Sequence, residues 1–120
     1  MKIKTSELTG AALDWAVARC EGLKYTTRND VRFEPRQVYA GDWSPSIDWS
    51  QAGPIIEREE IGIRRNAPCM DGRQWDASPS ITAKGAGGRW CYGPTPLVAA
   101  MRCYVSSKLG DEVDVPEELK

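Results

Sequence analysis

The residues best suited to chemistry in this chain are aromatic, cationic and small, and they occur in two segments. Trp43 and Trp49 border a turn-rich stretch, while Trp90 and Tyr92 follow a glycine-rich one. The chain has five tryptophans and four tyrosines against one phenylalanine, so most of its aromatic rings carry a polar group. Such rings stack on planar ligands and hydrogen-bond their edges. The predicted binding residues are Trp43, Ser44, Ser46, Asp48, Trp49, Lys84, Arg89, Trp90 and Tyr92.

The glycine-rich loop at residues 84–90 has a cation near each end, at Lys84 and Arg89. Successive backbone amides in such a loop form a concave site for anions, which the two cations would strengthen. A loop of this composition also serves as a plain hairpin connection. A similar alternative holds for four tryptophans, which would fill a small core as readily as they would line a site. They are Trp15, Trp49, Trp75 and Trp90.

The chain contains no histidine, which removes the commonest general base and the commonest zinc ligand together. Its four cysteines are far apart and form no Cys-x-x-Cys pair, so we expect reduced thiols rather than disulfides or zinc. The serine-hydrolase and Walker motifs are absent as well. The sequence therefore predicts no catalytic residue, no metal and no cofactor. The cysteines are Cys20, Cys69, Cys91 and Cys103.

The acidic residues between positions 42 and 60 offer a catalytic alternative. Grouped in space, they would hold Mg²⁺ or Mn²⁺ for phosphodiester chemistry. Asp48 equally suits the cap of a helix, and the alternating charges of residues 57–60 suit a solvated helix face. The hypothesis of a metal-dependent phosphodiesterase therefore stays open. Its metal ligands would be Asp42, Asp48, Glu57, Glu59 and Glu60.

Two amphipathic helices, one towards each end of the chain, must position these residues. The C-terminal helix is predicted over residues 96–109, because Thr95 caps its start and Gly110 supplies a left-handed stop. Its apolar face is too wide for an isolated surface helix, so it must pack against a sheet or another helix. The N-terminal helix is predicted over residues 8–21, with Gly22 as its stop.

A short middle helix is predicted over residues 49–61. Asp48 and Gln51 have the spacing of a capping box, in which the Gln51 side chain would bond the amide of the capping residue. Pro54 provides a second start signal, so we expect the helix to kink or restart there. The residues that this helix should bury are Trp49, Ala52, Ile55 and Ile56.

Short runs of alternating apolar residues between positions 61 and 92 predict the strands of an antiparallel sheet. A short strand is also expected at residues 2–5, and an edge strand at residues 112–115, before Pro116. The expected fold class is α+β: a small layered sandwich whose antiparallel sheet is flanked by the terminal helices and the middle helix. The alternating pairs are Ile61 and Ile63, Trp75 and Ala77, Ile81 and Ala83, and Trp90 and Tyr92.

The composition predicts one cytoplasmic domain over residues 1–120. With 41% apolar residues the chain can form a core, and no apolar run has the length of a membrane span. The net charge of −1 is too small for a long nucleic acid track. Five of the 17 acidic residues follow residue 110, which leaves the body mildly basic and suited to a small anionic ligand.

Three blocks of the sequence resemble the NinX-like family of small proteins from lambdoid phages and prophages. They are KTSELTGAALDWAVA at residues 4–18, SPSxDWxxxGPIIE at residues 44–57, and YGPTPLxAAMRC at residues 92–103 running on to GDEVDVP at residues 110–116. Residues 23–41 and 66–88 depart from the pattern. The resemblance implies a phage accessory protein with an α-β-α sandwich, and it supplies no catalytic residues.

Three hypotheses for the function follow. The first is a non-enzymatic accessory protein, for host takeover or anti-defence, that binds and sequesters a small nucleotide-like ligand through aromatic stacking and arginine. The second is a module that docks a host protein by an apolar helix face or by the acidic tail. Assembly into a homo-oligomer is left open beside it. The third is the metal-dependent phosphodiesterase.

Overall fold

The computed structural model of this protein describes residues 1–26, 35–66, 71–78 and 90–119. These residues contain three α-helices: α1 (Gly10–Cys20), α2 (Trp49–Arg58) and α3 (Pro96–Leu109). They also contain seven short strands: β1 (Lys2–Lys4), β2 (Lys24–Thr26), β3 (Gln37–Tyr39), β4 (Gly62–Arg65), β5 (Trp75–Ser78), β6 (Cys91–Gly93) and β7 (Glu112–Asp114). The predicted α+β fold class is confirmed. The predicted pair Ile81 and Ala83 lies outside the described residues.

Helix α3 is the centre of the fold. All residues of its segment 97–105 are buried, and the helix packs against β5, β6 and α1. Thr95 caps it as predicted, since its Oγ1 accepts a hydrogen bond of 3.1 Å from the amide of Val98. Gly110 ends it with φ +89° and ψ −163°, so φ is positive as expected, although the residue lies outside the left-handed helical region. A helix buried on nearly all sides is the core itself rather than a cover for it.

The two ends of the chain meet in an antiparallel pair. Strand β1 pairs with β7 so that Ile3 lies opposite Val113. The amino terminus of Met1 adds an ion pair of 2.7 Å to Asp114. A second antiparallel sheet has the order β4-β5-β6 and covers α3, with Ala77 fully buried between them. The chain start, β6 and α3 are thereby brought side by side.

The antiparallel sheet predicted from alternation within residues 61–92 is present as β4-β5-β6, while β1 and β7 form a separate antiparallel pair and the third sheet is a parallel pair. Strands β2 and β3 run parallel, with Tyr25 opposite Val38. This pairing was not predicted from the sequence, because strands of three residues are too short to display a period of two. Each sheet has two or three strands among the described residues.

Helix α2 differs from its prediction in three ways. It runs without a restart through Pro54, because burial of Ala52 and Ile55 outweighs the single backbone bond that the proline forgoes. The predicted capping box does not form, since the Gln51 side chain bonds the amide of Ser44 at 2.6 Å instead. Trp49, predicted to be buried, is 56% exposed, because it occupies the first turn of the helix, which does not reach the core.

Candidate functional site

Helix α3 carries an arginine into the interior of the protein. Arg102 is only 8% exposed, although it belongs to a run of apolar residues. Its Nε donates to the carbonyl of Leu8 and its Nη1 to the carbonyl of Tyr92, each at 2.8 Å. Burial lowers the pKa of the Arg102 guanidinium. None of the acidic residues in the described ranges forms an ion pair with it, and the nearby Cys91 and Glu7 only partly oppose the effect of burial on its pKa.

Arg102 lines a cleft of about 330 Å³ between the chain start, β6 and the C-terminal end of α3. A cleft of this volume lies at the small end of the range for small-molecule sites. The lining mixes two cations, two carboxylates, three hydroxyl groups, a thiol and two aromatic rings. The lining residues are Lys4, Thr5, Ser6, Trp90, Cys91, Tyr92, Arg102, Ser106, Asp111 and Glu112.

Two aromatic side chains of the cleft remain open to solvent. Trp90 is 42% exposed and Tyr92 is 40% exposed. One face of the Trp90 ring is covered by Arg64, whose Cζ lies 4.4 Å from the ring centroid. Arg64 is in turn held by the buried carboxylate of Asp76, at 2.9 Å from its Nη2. This chain of contacts from β5 orients Trp90 while leaving part of its surface available for stacking.

A second cleft, of about 550 Å³, adjoins the first. The two share Ser6, Tyr92 and Arg102 among their linings, so they meet at the buried arginine. The second cleft adds the ion pair between Arg73 and Asp71, whose atoms lie 2.9 Å apart. Its lining residues are Ser6, Glu7, Asp71, Gly72, Arg73, Tyr92, Pro94 and Arg102.

Cys91 is the thiol of the first cleft. The nearby Cys103 thiol and the charge of Arg102 lower the pKa of Cys91, against the opposing effect of burial. Cys103 itself is buried in α3, and its pKa is raised by its contact with Cys91. Cys20, Cys91 and Cys103 are all free thiols. Cys69 lies outside the described residues.

The other predicted half of the site, the Trp43–Trp49 segment, is fastened to helix α1. Trp43 donates its Nε1 hydrogen to the carbonyl of Asp14 at 3.0 Å. The amide of Ser46 donates to the Asp14 carboxylate at 2.9 Å. Burial raises the pKa of this carboxyl, and the bonds from Ser46 oppose that effect. The polar groups that were expected to meet a ligand are thus engaged within the protein.

The remaining residues of that segment also have structural partners or stand apart. Asp48 caps α2, because its Oδ1 accepts from the amide of Ser50 at 2.9 Å. The Ser44 amide is bonded by Gln51, as described above. Ile47 and Trp49 point outward and form an exposed apolar pair, at 78% and 56% exposure.

The structure brings together only part of the predicted set. Trp90 and Tyr92 meet in the cleft, whereas the Trp43–Trp49 segment bonds to α1 and α2. Lys84 and Arg89 lie outside the described residues. Sequence reasoning missed Arg102, and the available signal was a lone arginine inside the apolar run at residues 97–105. It also missed the contributions of Lys4 and Ser6, which only the fold brings near.

The carboxylates proposed as metal ligands are dispersed where the structure shows them. Glu59 pairs with Arg58 at 2.9 Å and with Lys108 at 3.5 Å. Over the described ranges, no three side chains of the metal-binding types come close enough to hold an ion. None of the helices in these ranges combines the length and apolar character that a bilayer span requires.

These features describe a small α+β protein whose terminal segments and central helix enclose an arginine-centred cleft. A family model described as "Bacteriophage P22, NinX" matches residues 4–108, which include α1, α2 and nearly all of α3. The chain belongs to this phage family, as its three sequence blocks indicated. No curated protein sequence matches it.

Proposed function

We propose that this phage protein binds a small organic anion with a planar ring in the cleft around Arg102. In this proposal it acts without catalysis, as an accessory protein that sequesters a nucleotide-like molecule of the host. The proposal keeps the ligand class expected from the sequence and moves its centre from the Trp43–Trp49 segment to α3.

The observation that carries the proposal is the buried charge of Arg102. Removing a guanidinium from water costs several kcal/mol, which a protein normally offsets with a carboxylate partner. Arg102 has two carbonyl partners and, within the described residues, no carboxylate in ion-pair contact, so Glu7 acts on it only at longer range. A guanidinium has five N–H donors, so part of its capacity is left for a ligand. A carboxylate or phosphate accepts such donors in strong, directional bonds.

The aromatic lining supports the second part of the ligand description. A base or similar ring stacked on an aromatic side chain gains about 1–3 kcal/mol. Trp90 and Tyr92 offer this surface beside Arg102, and Arg64 braces the Trp90 ring from its other face. Ser6 and Ser106 add hydroxyl groups, which donate and accept hydrogen bonds at the edges of a ligand.

Mass spectrometry of small molecules retained from a bacterial lysate tests the proposal. The decisive variant is Arg102→Gln, with Arg58→Gln as its control. Arg58 also makes structural hydrogen bonds, to Glu21 and Tyr104, but it lies outside the cleft. Both variants should lose some stability, whereas only Arg102→Gln should lose the ligand. Absence of any retained molecule in the parent, equal retention in the two variants, or turnover of the bound molecule would contradict the proposal.

A second candidate function, docking of a host protein, is favoured by the exposed pair Ile47 and Trp49. The apolar stripes of α1 and α3 are taken up by the core, and among the described residues this pair offers an exposed apolar surface for such docking. The double variant Ile47→Ser, Trp49→Ser should then abolish capture of a specific host protein while leaving the melting temperature unchanged. Unaltered capture would exclude this surface.

A further inference from the structure

We propose that Cys91 and Cys103 form a dithiol pair that hydrogen peroxide oxidises to a disulfide, joining β6 to α3 at the wall of the Arg102 cleft. This pair is a site of reversible modification, and it does not depend on the binding of a ligand. Cys91 is the thiol that reacts with the oxidant, and Cys103 is the thiol that closes the bond.

The backbone brings the two cysteines together. A link of two residues separates β6 from α3, so the helix runs back along the strand. The two elements touch at Gly93, where an added Cβ would lie 2.6 Å from the backbone nitrogen of Ala99. Cys91 lies two strand residues before Gly93, about 6.6 Å away along β6. Cys103 lies four helix residues after Ala99, about 6 Å away in the same direction.

The two cysteines also lie on the faces that meet. Residues two apart on a strand share a face, and so do residues four apart on a helix, so Cys91 and Cys103 face each other as Gly93 and Ala99 do. Their chain neighbours support this register, since Nη1 of Arg102 donates to the carbonyl of Tyr92 at 2.8 Å. The Cys103 thiol is accordingly within hydrogen-bond reach of the Cys91 sulfur.

The two thiols differ in exposure and in charge. Cys91 is half-buried and lines the cleft of about 330 Å³, whereas Cys103 is buried. The hydrogen bond from the Cys103 thiol lowers the pKa of Cys91, with help from the charge of Arg102, against the effects of burial and of Asp111. The same hydrogen bond, with burial, raises the pKa of Cys103. Because a thiolate is the nucleophile, Cys91 attacks the oxidant while Cys103 keeps its proton.

The oxidation proceeds in two displacements. In the first, the Cys91 thiolate attacks one oxygen of hydrogen peroxide, the O–O bond breaks, and the leaving hydroxide takes up a proton to become water. Cys91 is then an uncharged sulfenic acid, which no longer holds the proton on Cys103. In the second, the Cys103 sulfur loses its proton to solvent and attacks the Cys91 sulfur, and the S–O bond breaks to release a second water. Two thiols and one peroxide thus give one disulfide and two waters.

The modification changes the charge beside the cleft. The charges of Cys91 and Glu7 both favour the charged form of Arg102. A disulfide is neutral, so oxidation removes the first of these two anions and leaves more of the Arg102 charge to an anion in the cleft. This effect connects the modification to the proposed function without resting on it.

Cys20 is an internal control. Burial and the Glu21 carboxylate raise the pKa of Cys20 to about 11, so its thiol stays protonated near neutral pH. We expect Cys20 to remain a thiol at peroxide concentrations that oxidise Cys91, because a protonated thiol is a poor nucleophile.

Peptide mapping of the intact, peroxide-treated protein tests the proposal. Trypsin cleaves after Arg102 and therefore places the two cysteines in different peptides, 90–102 and 103–108. After the free thiols are blocked with iodoacetamide, mass spectrometry should find these peptides linked, with the loss of two hydrogen atoms, and dithiothreitol should separate them. Cys20→Ser should leave the link intact, whereas Cys91→Ser should abolish it. A bond from Cys91 to another cysteine, or sulfinic acid at Cys91 with Cys103 still free, would overturn the proposal.

The rate of disulfide formation tests the role of Arg102. Arg102→Gln should slow the reaction about threefold or more, because the cation that favours the Cys91 thiolate is gone. Arg58→Gln, outside the cleft, should leave the rate unchanged. Equal rates in the two variants would overturn the assignment of Cys91 as the activated thiol. None of these measurements uses a ligand, so their failure is distinct from a failure of the proposed function.

Discussion

The Trp43–Trp49 segment and the Trp90–Gly93 segment are both rich in aromatic and small residues, but they differ in what their side chains contact. In the first, the indole of Trp43 and the amide of Ser46 bond to Asp14, so the segment is tied to α1. In the second, Trp90 and Tyr92 stay partly exposed beside a buried arginine that forms no ion pair with the described acidic residues. Under the proposed function, polar groups left without a protein partner mark the binding surface better than aromatic residues do.

The largest loss of stability should come from Gly93→Ala, in the Trp90–Gly93 segment beside the cleft. A Cβ at Gly93 would lie 2.6 Å from the backbone nitrogen of Ala99, and a helix backbone cannot yield cheaply. We expect a loss of about 3 kcal/mol from overpacking, with weaker ligand binding because Tyr92 moves with the strand. Urea denaturation measures the first effect and ligand titration the second.

Gly53→Ala is the matched control, because it lies inside α2 with no atom within 4 Å of the added Cβ. An alanine in a helix interior is favoured over glycine by roughly 0.5–1 kcal/mol, so this variant should be at least as stable as the parent. Equal stability of the two variants would mean that β6 does not pack closely on α3.

A smaller effect is expected at Asp14, which fastens the Trp43–Trp49 segment. Asp14→Ala leaves the buried amide of Ser46 unpaired and should cost about 2 kcal/mol. Asp14→Asn keeps an oxygen acceptor while removing the buried charge. Ligand binding in the Arg102 cleft should survive both changes, and a loss of binding in a folded variant would show that the two segments are coupled.

The pH dependence of stability gives a sharper comparison of the parent with Asp14→Asn. Burial raises the pKa of Asp14 in the folded state above its unfolded value of about 3.9. The resulting stabilisation is present at acidic pH and is lost as the pH rises through the folded pKa. Denaturation from pH 3 to pH 7 should therefore show that the free energy of unfolding of Asp14→Asn rises relative to that of the parent as the pH rises. A constant difference would show that the folded pKa is not raised.

Thr95→Ala should have an effect of about 1 kcal/mol, through loss of the cap on the helix that carries Arg102. The cap fastens only the first turn of α3, and Arg102 lies further along the helix. We therefore expect lower thermal stability with ligand affinity unchanged at low temperature. Thr95→Ser, which keeps the hydroxyl acceptor, is the control, and an equal loss in both variants would assign the effect to the missing methyl group.

Much of the fold was predictable, because local signals and packing agree in the helices. Thr95 and Gly110 mark the ends of α3 in the sequence, and Gly22 follows the end of α1. The exposure of Trp49 was not predictable, because periodicity alone does not say which turn of a short helix reaches the core. The cleft was even harder to predict from the sequence, because residues from the two ends of the chain, about 90 positions apart, meet only when β1 pairs with β7.

The smallest effects should come from the two indoles themselves, compared by Trp43→Phe and Trp90→Phe. The first removes the bond from Nε1 to the carbonyl of Asp14 and should cost about 0.5–1 kcal/mol. The second changes a ring that is 42% exposed and keeps a face for Arg64, so its cost should stay within about 0.5 kcal/mol. For ligand affinity the order should reverse, because indole is the better stacking partner and only Trp90 lies in the cleft. Chemical denaturation of both variants measures the order of their stability losses, and ligand titration measures the order of their affinities. If Trp43→Phe weakens the ligand more than Trp90→Phe does, the binding surface belongs to the segment that bonds to α1, and the contrast between the two regions is wrong.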